Sequence, residues 1–474
     1  MIDNTILGWY YIFVFTFGGA KMAKKSYEMD MTQGPLFKKI IIFTIPLMLS
    51  GMLQLLYNAA DIVVVGKFAG DEALAAVGST SSLINLIVTT FIGLSLGAGV
   101  IVAQSIGAKN VSRLTRTIHT SMSLSIVFGF FLTIIGVLLA SPMLKLMGSP
   151  EDVIGKATLY MRIYFLGMPA FMVYNFGAAI LRSAGDTRRP LTILSISGIA
   201  NVGFNLLFVI VIEMGVSGVA IATIISQYIS AVWVVIILIN EDDAYKLSIK
   251  KLRIYKTEFL QILSYGMPMG IQSACFSISN VIIQSSINSL GTIYIAGNSA
   301  AGNIEGFVHQ AASCVGQSAI AFSGQNSGAG NYKRVKKVLI NCYSLSILFG
   351  LTFGLVVFAL KTQLLSIYTN NPEVISAGIE RMNIMCLLYF LCGMMDATAN
   401  VTRGMGKSLV PMIITLLFVC VFRVIWIYTI FETFKTATSV YLSYPITWIL
   451  AIIGQLIYFA IVYRSLIKQK NADV

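Results

Sequence analysis

The second half of the chain repeats the first at a spacing of roughly 220 residues. Gln104, Gly107, Ala108, Asn110 and Arg113 in QSIGAKNVSR return as Gln325, Gly328, Ala329, Asn331 and Arg334 in QNSGAGNYKR. Arg182, Gly185 and Pro190 in RSAGDTRRP return as Arg403, Gly406 and Pro411 in RGMGKSLVP. Pro46 and Asn58 have counterparts in Pro268 and Asn280. Chance similarity between apolar segments would align Leu with Ile. Here Gly, Arg, Asn, Gln and Pro match, in one order and at one spacing. A duplicated apolar chain of this kind builds two similar bundles, with a site between them.

The chain is 57% hydrophobic and 11% charged, against about 25% charged in an ordinary soluble domain. A soluble core has no use for so much apolar residue, so a bilayer must solvate most of the chain. Long apolar runs, without a series of ten-residue alternating strands, indicate α-helices and not a β-barrel. The net charge of +13 resides in short loops between these runs, which speaks for a positive-inside bias and against nucleic-acid binding. All six cysteines fall in or beside apolar stretches of the second half, as small packing residues do. Two histidines, His119 and His309, are too few for a histidine-rich metal centre.

Twelve spans of about twenty residues each can be read, centred near Leu49, Phe91, Gly129, Phe171, Val202 and Ser230, then Ser273, Ala312, Leu351, Phe390, Val421 and Ile452. Alternate loops carry the positive charge, including Lys109, Arg113 and Arg116, then Arg182, Arg188 and Arg189, and later Lys333, Arg334, Lys336 and Lys337. That asymmetry puts both termini in the cytoplasm of a multi-pass protein of the cytoplasmic membrane. An even number of spans per half makes the halves parallel repeats. The fold class is thus an all-α polytopic membrane protein of two pseudo-symmetric six-helix bundles. The expected divisions are an N-terminal segment at 1–35, one lobe at 36–240, a basic cytoplasmic linker at 241–258, a second lobe at 259–466 and a tail at 467–474. The run Ile6–Ala20 is short for a span, and Met22 opens MAKKSYEMDM like a protein start. Residues 1–21 therefore read as a start-site extension.

A carboxylate inside a span is costly and calls for a role. Asp61 ends the first span, on the strip begun by Gln54 and Asn58, with a kink expected at Pro46. A carboxylate out of water gains affinity for a proton or for Na⁺, and either one can couple a gradient to a change of shape. Asp396 lies two helical turns before Arg403 and can share its face. Glu305 sits four residues before His309, as a relay or, better, as half of an inter-helix bond. Arg423 is expected to snorkel or to pair with a carboxylate, with a substrate contact as the lesser reading. Asn175, Asn201, Asn205, Gln272, Asn280 and Gln284 complete a set of intramembrane amides, part cavity lining and part glue between helices. Among Met and aromatic residues they suit amphipathic organic cations. There is no P-loop, HExxH or CxxC, so neither ATP-driven transport nor a catalytic centre is supported, and no cofactor is called for.

These residues resemble the multidrug and toxic compound extrusion (MATE) family from about Leu36 to Leu466. The resemblance is carried by the first span from Pro46 to Asp61, the QSIGAKN and QNSGAGN loops, and the LRSAGD and TRGMGK elements. It implies a bacterial antiporter, functional as a monomer, that exports cationic lipophilic compounds in exchange for H⁺ or Na⁺. Two lobes would form a V around a central cleft. Asp61 matches the family's first-span aspartate and takes the ion-coupling role, with Asn175 and Asn201 in the same lobe cavity. The seventh span, GIQSACFSISN, lacks the acidic residue of some members, and Asp396 is displaced by about a turn from a tenth-span carboxylate. Coupling through the first lobe is therefore favoured. The alternative is a lipid-linked oligosaccharide flippase, which would need a cationic cavity.

Overall fold

The computed structural model describes residues 29–147, 151–241 and 244–472. The proposed start-site extension lies outside the described residues. Among them there are twelve membrane-length spans and no strand. In the first repeat these are α1 (Leu36–Phe68), α2 (Asp71–Gly107), α3 (Val111–Leu146), α4 (Glu151–Leu166 and Met168–Ser183), α5 (Arg188–Leu206) and α6 (Gly215–Asn240). The second repeat supplies α7 (Lys256–Asn288), α8 (Thr292–Gly328), α9 (Tyr332–Ala359), α10 (Pro372–Met385 and Tyr389–Gly404), α11 (Leu409–Phe434) and α12 (Ala437–Ala472).

The repetition extends to irregularities. Both α4 and α10 are bent by 46° at a short break. In α4 the break falls at Gly167, just before Pro169, whose nitrogen has no hydrogen to donate. The α1–α2 and α7–α8 turns each pass through a left-handed glycine, Gly70 (φ 85°) and Gly291 (φ 103°), a conformation that costs other residues. Ten of the twelve spans are apolar enough to cross a bilayer by composition alone. The exceptions, α7 and α8, carry Ser, Asn, Gln and Gly along their length, which fits helices that face protein more than lipid.

Packing does not follow the linear division into lobes. The beginning of α1 (Leu36, Ile40, Phe43 and Leu47) joins the second-lobe core with Phe322, Val401 and Phe459. Phe43 meets Phe322 edge-on at 5.5 Å, and the hydroxyls of Thr44 and Ser318 share a hydrogen bond of 2.7 Å. The later half of α1 returns to its own lobe, where Tyr57 donates to the Ser195 carbonyl on α5 at 3.1 Å. By the same token Ile262, early in α7, belongs to the first-lobe core, while Ile283 and Ile287 pack with α11 and α12.

This exchange builds a seam between the lobes. Gly93 and Gly97 of α2 lie against Gly266 and Gly270 of α7; a Cβ on Gly97 would stand 2.5 Å from the Gly266 nitrogen. Glycine alone lets two backbones come so close. Gly93, Ser95 and Gly97 happen to spell G-x-S-x-G, but mid-helix, without the strand-to-helix turn that a nucleophile elbow needs. The seam lies in the half of the bundle next to the basic loops. Beyond it α1 and α7 part, each into its own lobe.

The connection between the repeats is docked, not free. Its Ser248 and Tyr255 amides donate to His119 Nε2 (3.2 Å) and Thr120 Oγ1 (3.1 Å) on α3. Glu258 pairs with Arg116 at 2.9 Å. The segment before α1 is docked as well: Met31 is fully buried, and its carbonyl accepts from Asn326 and Arg334 of the second lobe.

Two polar clusters and the family they belong to

In the first lobe α1 and α5 meet around Asp61. Asn201 and Asn205 stand one helical turn apart on α5, just before a wide π-turn at Leu207–Val211, a feature often found at functional sites. The fully buried Asn205 donates its amide to Asp61 Oδ1 and lies 3.3 Å from Asn201 Oδ1. Asn201 in turn reaches Thr223 on α6 at 3.5 Å. Nearby on α4 the rings of Tyr160 and Tyr164 stack, with centroids 6.1 Å apart. Asp61 has no cationic partner among the described residues; an amide dipole orients it and leaves its charge uncompensated.

The remaining first-lobe candidates are less closely tied. Asn175 donates to the Phe171 carbonyl of its own helix at 2.9 Å and makes no recorded bond to Asp61. Gln54 and Asn58 lie on α1 with their side chains exposed, on the approach to Asp61.

The second lobe holds a larger network. Glu305 on α8 accepts at one oxygen from both Arg381 Nε (2.9 Å) and the Tyr389 hydroxyl (3.0 Å) on α10. Arg381 continues to Asn298, Asn298 to Gln284 at 3.0 Å, and Gln284 to Asn288 at 2.9 Å. Glu305 is thus half of an inter-helix ion pair. Its relay partner is not His309, which instead meets the Ser313 hydroxyl at 3.2 Å and the edge of the Tyr389 ring. Arg381, Tyr389 and Asn298 are absent from the candidates read from the sequence. An arginine facing a carboxylate across two apolar helices was the available signal.

Asp396 lies among His309, Ser313 and Arg403. Arg403 bonds Gln272 (2.5 Å) and Asn400 (2.8 Å), tying α10 to α7. Arg423 departs from expectation. It neither snorkels nor pairs with a carboxylate: it is 1% exposed, donates to Thr447 Oγ1 at 2.9 Å and lies 4.2 Å from the Tyr444 ring centroid. Two π-turns, Leu416–Val421 and Ile427–Phe431, flank it, a feature often found at functional sites. A cavity of about 350 Å³ lies between these helices, lined by Arg423, Arg381, Asn280, Gln284, His309 and Trp448 among others.

Comparison with known proteins accounts for both the duplication and the architecture. The MatE family profile matches twice, over residues 46–207 and 268–429. The probable multidrug resistance protein YoeA of Bacillus subtilis is 27% identical over 80% of this chain and 84% of its own. The probable multidrug resistance protein NorM of Thermotoga maritima is also 27% identical, over 80% and 82% of the two chains. A solved structure of an outward-facing multidrug resistance MATE family transporter of the MOP superfamily superposes with a TM-score of 0.86 at 21% identity, covering 92% of this chain and 98% of that one. With both halves matched by the profile and the twelve-helix fold shared, the chain belongs to the MatE family of membrane transporters.

Proposed function

We propose that the protein is a secondary antiporter that expels cationic or lipophilic organic compounds across a bacterial cytoplasmic membrane in exchange for H⁺ or Na⁺. The observation that carries this reading is the position of Asp61. Asp61 stands on α1, whose other half is built into the opposite lobe, and its carboxylate accepts from the neutral Asn205 amide of α5. A proton or Na⁺ arriving at Asp61 cancels a charge that has no counter-ion there, and thereby changes the state preferred by the later half of α1. Pro46, which cannot close a backbone hydrogen bond, lies where α1 passes from one lobe to the other and is the natural bending point. Ion and cargo then favour different states, and each promotes release of the other.

In this scheme residues 36–240 and 259–466 form the two rocking lobes, with the early halves of α1 and α7 as crossed arms. The stretch 241–258 is a docked strap, and both ends of the chain face the cytoplasm. Gln54, Asn58 and Asn205 line the first-lobe approach. Gln272, Asn280, Gln284 and Asp396 belong to the second-lobe side, with Asn175 and Asn201 supporting the coupling site. The protein works as a monomer and needs no cofactor besides the coupling ion. A flippase for lipid-linked oligosaccharides would ask for a strongly cationic cleft. Here Glu305 neutralises Arg381, which leaves one cavity-lining arginine without an ion pair among the described residues, too little for a pyrophosphate.

The test is ethidium export from proteoliposomes under an imposed pH gradient or an imposed Na⁺ gradient. Export driven by one of them is the expected result. Folded protein that exports under neither contradicts antiport.

A further inference from the structure

We infer that the second-lobe cavity is a binding subsite for an acid group, a carboxylate or phosphate carried by the transported compound, with Arg423 as its docking residue. This rests on the export reading above and adds to its substrate class compounds that bear an acid beside an aromatic body. Arg423 is buried, and its recorded partners are neutral: the Thr447 hydroxyl and the face of Tyr444. Its Nε is buried without an acceptor. Of the nearby acids, Glu305 is committed to Arg381 and Tyr389, and no ion pair joins Asp396 to Arg423 among the described residues. A guanidinium out of water with neutral partners and an orphaned donor is costly to maintain. It opens onto a cavity of about 350 Å³, within the range of small-molecule sites. An entering oxyanion would neutralise the charge and use the planar fork of donors that makes arginine the usual partner of carboxylates and phosphates. Phe276, Tyr444 and Trp448 offer faces for a planar ring attached to the acid.

The duplication adds a second argument. Asn201 and Arg423 lie on corresponding helices of the two repeats, α5 and α11. On these helices the first lobe keeps a neutral amide beside Asp61, and the second carries a cation. The lobes have diverged to opposite polarity, which suits a zwitterionic cargo better than a simple cation.

The experiment measures fluorescence polarisation of matched dyes on the purified protein in nanodiscs, without any gradient. Rhodamine 110 and its methyl ester rhodamine 123 differ by a free carboxylate; flavin mononucleotide and riboflavin differ by a phosphate. Wild type is expected to bind at least one acid about tenfold more tightly than its neutralised partner, and the pair that responds names the acid. Arg423→Gln should abolish the preference. So should Asn280→Asp, which sets a carboxylate at the cavity wall and leaves Arg423 in place. Equal or weaker binding of both acids by wild type overturns the inference, as does a preference that survives in either folded variant. Because binding is read without a gradient, failure of ethidium export leaves this result standing, and the reverse also holds.

Discussion

Gln104 and Gln325, counterparts in the two repeats, reach across the seam in opposite directions. Gln104 donates to the Gly404 carbonyl at the end of α10 (2.9 Å), and Gln325 donates to the Ser183 carbonyl at the end of α4 (2.8 Å). Each lobe thus closes the last turn of a bent helix in the other. Removing the buried Gln325 amide with Gln325→Ala strands that carbonyl, at about 1–3 kcal/mol. The expected outcome is a lower melting temperature in detergent, with a comparable loss for Gln104→Ala.

The glycines beside these glutamines are spacers. A Cβ on Gly107 would collide with the Gln325 carbonyl, and one on Gly328 with that of Gln104. Gly107→Ala and Gly328→Ala should each prise the seam apart at a cost of about 1–3 kcal/mol. A cysteine pair placed across the seam would then cross-link more slowly than in the parent protein. Unchanged cross-linking would show that the seam has slack.

The ion pair between Glu305 and Arg381 is buried, and breaking it should cost more than removing it. Glu305→Gln leaves a buried guanidinium without its counter-charge, an effect of roughly 3–5 kcal/mol. The double change Glu305→Gln with Arg381→Met should recover much of that loss. Thermal unfolding of the two variants side by side reads the difference, and a double variant less stable than the single one contradicts the assignment.

Asn205 orients Asp61 through one charge-assisted bond, and such bonds are worth about 1.5–3 kcal/mol. Asn205→Ala should leave the fold intact and reduce export about tenfold or more. The coupling-ion concentration for half-maximal export should shift as well. A variant with normal ion dependence would remove Asn205 from the coupling site.

Much of this organisation was legible in the sequence because hydropathy and spacing report depth in the membrane. Twelve spans, the duplication and the isolation of Asp61 all follow from that. Lateral neighbours do not. Nothing in the spacing of Phe43 or Ile262 says that the early halves of α1 and α7 pack into opposite lobes, since a lipid-facing and a seam-facing apolar residue look alike. The inter-helix bond expected of Glu305 is present, but its partner could not be named: i and i+4 are visible along a chain, whereas Arg381 lies 76 positions away. Arg423 was expected to find a carboxylate or to snorkel; the π-turns that flank it leave no mark in the apolar pattern around it.

The central claim is that Asp61 couples the ion to the cargo. The most direct measurement is substrate-induced ion release from proteoliposomes, comparing wild type with Asp61→Asn and reading H⁺ with a pH dye and Na⁺ with a sodium dye. The account predicts that ethidium addition releases one of the two ions from wild type and neither from the variant, which still folds. Ion release from Asp61→Asn at the wild-type rate would contradict it.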